Sequence, residues 1–174
     1  MLARLSIALA LAATGLAQVV VPAGYRTATI STAWNDKFVL QPQAPIKSGS
    51  AVVLYSVNNH IEQQWYLKDG STKVQLANTT LCLDAGSNHN NGNPLTVTTC
   101  SDTLASQKWQ YNTDSQIVLD QTGTKLCADL YMGTLQNNTR IVIWNCIAGD
   151  KNHIWKTTNV TVPVVPPVTT PPPP

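Results

Sequence analysis

The chain has 174 residues, enough for one domain of ordinary size with tails, and a formal charge of +2 with only 11% charged side chains. It has no basic run and no basic residues interleaved with aromatics, which argues against nucleic acid as a partner. Its polarity comes from Asn, Gln, Thr and Ser, a composition that suits an extracellular β-protein better than a disordered chain.

In chain order, the first segment is MLARLSIALALAATGLAQ, with one positive charge at Arg4, an apolar run, and small residues at Gly15 and Ala17. This pattern predicts a secretion signal over residues 1–17, cleaved after Ala17, and hence an extracellular mature protein of formal charge +1. The apolar run is short and Ala-rich, and no second run reaches spanning length, so no membrane span is expected. A folded domain is expected over residues 18–160. Residues 161–174, ending VPVVPPVTTPPPP, cannot enter a β-ladder, because proline lacks the amide donor and fixes φ. They predict an extended Pro/Thr-rich tail or linker of polyproline type.

Between these ends the chain repeats itself. Gln63-Gln64-Trp65 and Gln107-Lys108-Trp109 share the pattern Gln-x-Trp, and His153-Ile154-Trp155 keeps the spacing with His for Gln. The three tryptophans are 44 and 46 residues apart. Upstream, KFVLQ, TLCLD and KLCAD align, which sets Val39 where Cys82 and Cys127 stand. Short β-rich runs alternate with turn signals at Asp69-Gly70, Asn78-Thr79-Thr80, Asn91-Gly92 and Thr122-Gly123, and no sustained helical period appears. A unit of about four short strands cannot bury its apolar face alone, so three units are expected to close around one core. Trp65, Trp109 and Trp155 are read as core, with the Gln side chains bonding backbone nearby.

Four cysteines in a chain read as secreted imply disulfides. The matched spacings, 18 residues from Cys82 to Cys100 and 19 from Cys127 to Cys146, favour sequential pairing within the second and third units. No CxxC pair or Cys/His cluster suggests zinc, and no metal or cofactor is expected.

Three Gln-x-Trp units, with Cys…Cys loops that follow C-x-D, resemble the ricin B-type lectin family over roughly residues 25–158. The resemblance implies an all-β fold, a β-trefoil of three repeats with threefold pseudosymmetry.

Aligning the units on Ser56, Cys100 and Cys146 gives AVVLYS, LTVTTC and IVIWNC. Ala51, Leu95 and Ile141, and Val53, Val97 and Ile143, are apolar throughout and are read as the inward face. Leu54, Thr98 and Trp144 share a position that Thr98 shows need not be core, so Trp144 is expected to face outward. If each disulfide joins residues in register, Asp129 lies opposite Trp144, and Asp84 opposite Thr98. An indole can stack on the apolar face of a sugar ring while a carboxylate accepts its hydroxyls. Asn152 can both donate and accept, and His153 could hold Asp129 or touch the sugar.

The resemblance implies these same roles for Asp129, Trp144 and Asn152, and a glycan partner of galactose or N-acetylgalactosamine type, with xylan-type and other glycans possible. The second unit keeps Asp84 and Gln107 but has Thr98 and Ser106 at the aromatic and Asn positions, so Asp84 and Gln107 are weaker candidates. The first has Gln41, Leu54 and Glu62, with Tyr55 one position off the pattern, and no such site is expected there.

Catalysis is not expected. His60, His89 and His153 form no triad or metal motif, and Asp84 and Asp129 occupy equivalent places in different units. Two other readings are a trefoil protease inhibitor and an accessory sugar-binding module of a larger secreted enzyme. Sequons at Asn78, Asn137 and Asn159 are candidate N-glycosylation sites, and Asn137 falls in the loop between Asp129 and Trp144.

Overall fold

The computed structural model describes residues 21–161; the predicted secretion signal and nearly all of the predicted tail lie outside the described residues. The first unit holds β1 (Arg26–Thr32), β2 (Asn35–Pro42), β3 (Ser50–Ser56) and β4 (Trp65–Leu67). The second holds β5 (Gly70–Thr72), β6 (Gln75–Leu76), β7 (Leu81–Asp84), β8 (Asn93–Pro94), β9 (Thr96–Thr99) and β10 (Trp109–Tyr111). The third holds β11 (Ile117–Leu119), β12 (Leu126–Leu130), β13 (Thr139–Asn145) and β14 (Trp155–Asn159). Single 3-10 turns precede the three tryptophan strands, and no helix among the described residues is long and apolar enough to cross a membrane. The predicted turns appear as such, with positive φ at Gly70, Asn78, Gly92 and Gly123.

All pairing is antiparallel. Strand β1 joins the first unit to the third by pairing with β14 (Ala28 with Asn159), and it also pairs with β4. The central hairpins meet one another: β3 pairs with β9 and β13, and β13 also pairs with β8. No unit could bury its inner face without the other two. The shared core is lined by Ile30, Leu40, Val52, Leu54, Leu67, Leu83, Leu95, Val97, Ile117, Leu130, Ile141 and Ile143, with all three tryptophans.

Those tryptophans are fully buried, and each indole N–H is satisfied in the same way. Trp65 Nε1 donates to Leu40 O (3.1 Å), Trp109 Nε1 to Leu83 O (3.0 Å) and Trp155 Nε1 to Ala128 O (2.9 Å). The acceptor in each unit is the carbonyl just before Gln41, Asp84 or Asp129. Burial of the ring is therefore obtained without stranding its polar atom. Disulfides join Cys82 to Cys100 and Cys127 to Cys146.

Two expectations are corrected. The disulfides are diagonal rather than in register: Cys127 pairs with Trp144 and Asp129 with Val142, while Cys82 pairs with Thr98 and Asp84 with Thr96. The second cysteine lies beyond the ladder's last pair, with Cα atoms 5.1 Å apart in the third unit, so the bridge clamps the strand ends obliquely. In the first unit the alignment on Ser56 is off by one. Leu54 and Val52 enter the core, Ala51 is half-buried, and Val53, though buried, lies on the other face. Val39 pairs with Tyr55 as Cys127 pairs with Trp144, so Tyr55, not Leu54, occupies the aromatic position. The cause is a connection one residue shorter. Gln63 Oε1 accepts from Asn58 N, five residues back, whereas Gln107 and His153 accept from Ser101 N and Ile147 N, six back.

Candidate functional site

The third unit's β12–β13 hairpin turns Asp129 on one strand, and Arg140, Val142 and Trp144 on the other, to the face opposite the core. Ile141 and Ile143 take the core face, so strand alternation alone sends Trp144 outward. Asp129, Trp144 and Asn152 line one cavity of about 600 Å³, together with Tyr131, Arg140 and Asp150. Asp129 and Trp144 sit diagonally, two residues apart along the hairpin, on its shared face. The cavity also takes in Asn91 and Gly92, from the turn before β8 in the second unit.

That turn supports the tryptophan. Asn91 Oδ1 accepts from Asn145 N (2.8 Å), Gly92 N donates to Ile143 O (2.9 Å), and a Cβ added to Gly92, at φ +90°, would meet the Trp144 ring at 3.6 Å. An L side chain there would be strained by the backbone angle alone.

Beneath the cavity, His153 is fully buried. Its Nδ1 accepts from Ile147 N (3.2 Å), and its Nε2 lies 2.9 Å from Asp129 Oδ2, close but not well aligned for a hydrogen bond. Because Nδ1 accepts, the neutral ring carries its proton on Nε2, facing the carboxylate. Burial resists protonation of this imidazole, but the adjacent Asp129 carboxylate and the charge of Asp150 outweigh it and raise its pKa.

The other units show what His153 replaces. Gln63 and Gln107 are equally buried, and each accepts from the corresponding backbone N–H. Gln63 Nε2 donates to Gln41 Oε1 and Ser56 O, both at 2.9 Å; Gln107 Nε2 donates to Asp84 Oδ2 (3.0 Å), Thr98 Oγ1 (2.7 Å) and Thr99 O (3.0 Å). The imidazole thus reproduces the amide's contacts to the acid position and to the backbone N–H. It has no donor left for Asn145 O, the counterpart of Ser56 O and Thr99 O.

Asn152 is held twice. Its N–H donates to Asp150 Oδ1 (2.9 Å), capping a 3-10 turn, and its Oδ1 accepts from Trp34 Nε1 (2.9 Å) in the turn between β1 and β2. The expectation that its amide could both donate and accept is therefore narrowed, because the acceptor is already engaged. Asp129, Asp150 and His153 bring possible ligand atoms within 4.8 Å of one another. Nδ1 already accepts from Ile147 N and Nε2 of the neutral ring carries its proton towards Asp129, so the imidazole presents no lone pair to a metal and the trio reads as a polar support rather than a metal centre.

In the second unit the candidates Asp84 and Gln107 are brought together, but both are buried. Asp84 accepts from Gly86 N, Thr98 Oγ1 and Gln107 Nε2. Burial raises its pKa, yet bonds from Thr98, Gly86, Gln107 and Ser106 prevail and lower it, so the carboxylate is held ionised by the chain itself. Of the sequons, Asn78 Oδ1 accepts from Tyr66 Oη, and Asn137 Oδ1 accepts from Ser56 N and Oγ at the seam with the first unit. Asn159 is exposed on β14.

Sequence reasoning missed Trp34, Tyr131, Arg140 and Asp150. Arg140 was readable, since alternation from Trp144 through Val142 places it on the same face.

No curated protein sequence matches this chain. Among solved structures, the designed threefold-symmetric protein ThreeFoil aligns with TM-score 0.67 at 18% identity, over 77% of this chain and 99% of that one. The earthworm R-type lectin C-half, solved in complex with GalNAc, aligns with TM-score 0.63 at 15% identity, over 78% and 99%. A mosquitocidal holotoxin aligns with TM-score 0.62 at 20% identity, over 79% of this chain but only 17% of the toxin, so the chain spans a small part of that relative's length. These similarities establish the fold. The family model for the ricin-type β-trefoil lectin domain matches residues 26–155, and the chain belongs to that family.

Proposed function

We propose that the protein is a secreted lectin that binds a galactose- or N-acetylgalactosamine-type sugar in the third-unit cavity. The observation that carries this reading is the convergence of Asp129, Trp144 and Asn152 on one cavity of about 600 Å³, within the size range of small-ligand sites. Trp144 stacks on the apolar face of the ring. Asp129, with one oxygen against His153, accepts from hydroxyls through the other, and Asn152 donates. The GalNAc held by the earthworm lectin is consistent with this sugar class. Asp84 has its acceptors satisfied within the chain, and Gln107 is buried, so the second unit supplies structure rather than a ligand site. The first unit has Tyr55 at the aromatic position but Gln41 in place of the acid.

We assign no catalytic role. The domain is taken to extend over residues 18–160, with the Pro/Thr-rich segment 161–174 as a tail or a tether to a partner domain. A glycan on Asn137 would grow from the seam with the first unit. A glycan array with wild type, Trp144→Ala and Asp129→Ala tests the proposal. Binding of wild type that falls at least tenfold in both variants is expected. Equal binding by all three would place the site elsewhere, and protease inhibition without sugar binding would favour the inhibitor reading.

A further inference from the structure

Trp34 is out of place for a core residue. It sits in the turn between β1 and β2, is 49% exposed, and packs in no part of the apolar core. Its backbone N donates to Thr32 Oγ1 within the first unit, but both specific contacts of its side chain lie in the third. Nε1 donates to Asn152 Oδ1 at 2.9 Å across 118 residues of sequence, and Lys151 Nζ lies 5.0 Å from the ring centroid.

The chemistry of the indole makes the first contact informative. An indole N–H can only donate, so the end of the Asn152 amide that faces it must be the oxygen. The Nδ2 group is then the end left for a ligand, and it makes no hydrogen bond among the described residues. The backbone adds to the constraint. Asn152 N is tied to Asp150, and a Cβ on Gly133 would come within 3.0 Å of Asn152 Oδ1. A half-exposed asparagine without these neighbours would turn freely and present either end.

We propose that Trp34, a first-unit residue, is a positioning residue for the third-unit sugar site: it holds Asn152 as a donor-only contact. This rests on the reading of the cavity as a sugar site. The consequence is a rule for the hydroxyl that Asn152 meets. That hydroxyl accepts from Nδ2 and passes its own proton to a carboxylate, for which Asp129 and Asp150 are the acceptors in the cavity. Such a chain of bonds runs in one direction, and reversing the amide breaks it.

The test is a double-mutant cycle read by calorimetric titration with methyl β-galactoside and N-acetylgalactosamine, using wild type, Trp34→Phe, Asn152→Ala and the double variant. Trp34→Phe removes the N–H and keeps an aromatic ring, though a smaller one. It is expected to weaken binding about fivefold in the wild-type background, as for one lost orienting hydrogen bond, and to have no effect once Asn152 is alanine. A merely structural role for Trp34 would cost the same factor in both backgrounds, and that result, or no loss in either, overturns the proposal. An independent readout needs no sugar. The side-chain amide NMR signals of Asn152 should shift and broaden in Trp34→Phe, and unchanged signals overturn the positioning role. If wild type binds neither sugar, the sugar-site reading fails, while these signals still decide whether Trp34 sets the amide.

Discussion

Replacing His153 with glutamine should stabilise the protein, and by an amount that depends on pH. In the first and second units a buried Gln amide donates through Nε2 to the acid position and to a strand-end carbonyl, Ser56 O or Thr99 O. His153 matches the first bond poorly, at 2.9 Å and off line, and leaves Asn145 O without its counterpart donor. His153→Gln restores one neutral, part-buried hydrogen bond and straightens another, a gain of about 1 kcal/mol, or roughly 3 °C in Tm for a domain of this size. Against this stands the loss of the imidazolium–Asp129 pair. The pKa of His153 is raised, so that pair contributes fully below the unfolded value and is lost as pH rises through the folded one. The gain should therefore be complete above the folded-state pKa of His153 and shrink or reverse as pH falls below the ordinary imidazole value. Thermal unfolding of both proteins across this range is the assay. A destabilised variant at the alkaline end would refute the equivalence of imidazole and amide, and a pH-independent difference would refute the ion pair.

Three further outcomes are expected. Trp109→Phe leaves Leu83 O buried without its 3.0 Å donor and shrinks the ring, and should cost about 2–4 kcal/mol by denaturant unfolding with the fold retained. Asp84, whose pKa is lowered, contributes stability that is complete above the ordinary carboxylate value and lost as pH falls through its folded value. Acid unfolding should thus be less steep in Asp84→Asn than in wild type. Replacing Cys82 and Cys100 together by alanine opens an 18-residue loop and should cost about 3 kcal/mol, measurable as a lower urea midpoint.

Much of the architecture was legible because the three units solve one problem with the same atoms. Each Gln-x-Trp, or His-x-Trp, buries its ring, sends the indole N–H to one carbonyl, and spends the preceding polar side chain on the acid position. A recurrence that serves three backbone contacts leaves its spacing in the sequence. Register was not legible. A disulfide fixes two side chains near each other but not whether they are in register, and a diagonal bridge moved Asp129 from Trp144 to Val142. Nor was the shorter connection after β3, which moved Leu54 into the core and set Tyr55 in its place, because one residue exchanges the faces of a strand. Trp34 was invisible for a different reason: it stands outside the repeat, and its partner is 118 residues away.

The cavity's dependence on Trp34, and on the Asn91-Gly92 turn, bears on how such a molecule can change. Three tandem copies look interchangeable, and one copy with a good site could be expected to travel as a cassette. This one cannot travel intact. Its asparagine is gripped by the first copy and its aromatic platform is backed by the second. A third unit grafted onto another trefoil would carry the carboxylate and the indole but lose its outside supports, so the three copies are bound to evolve together.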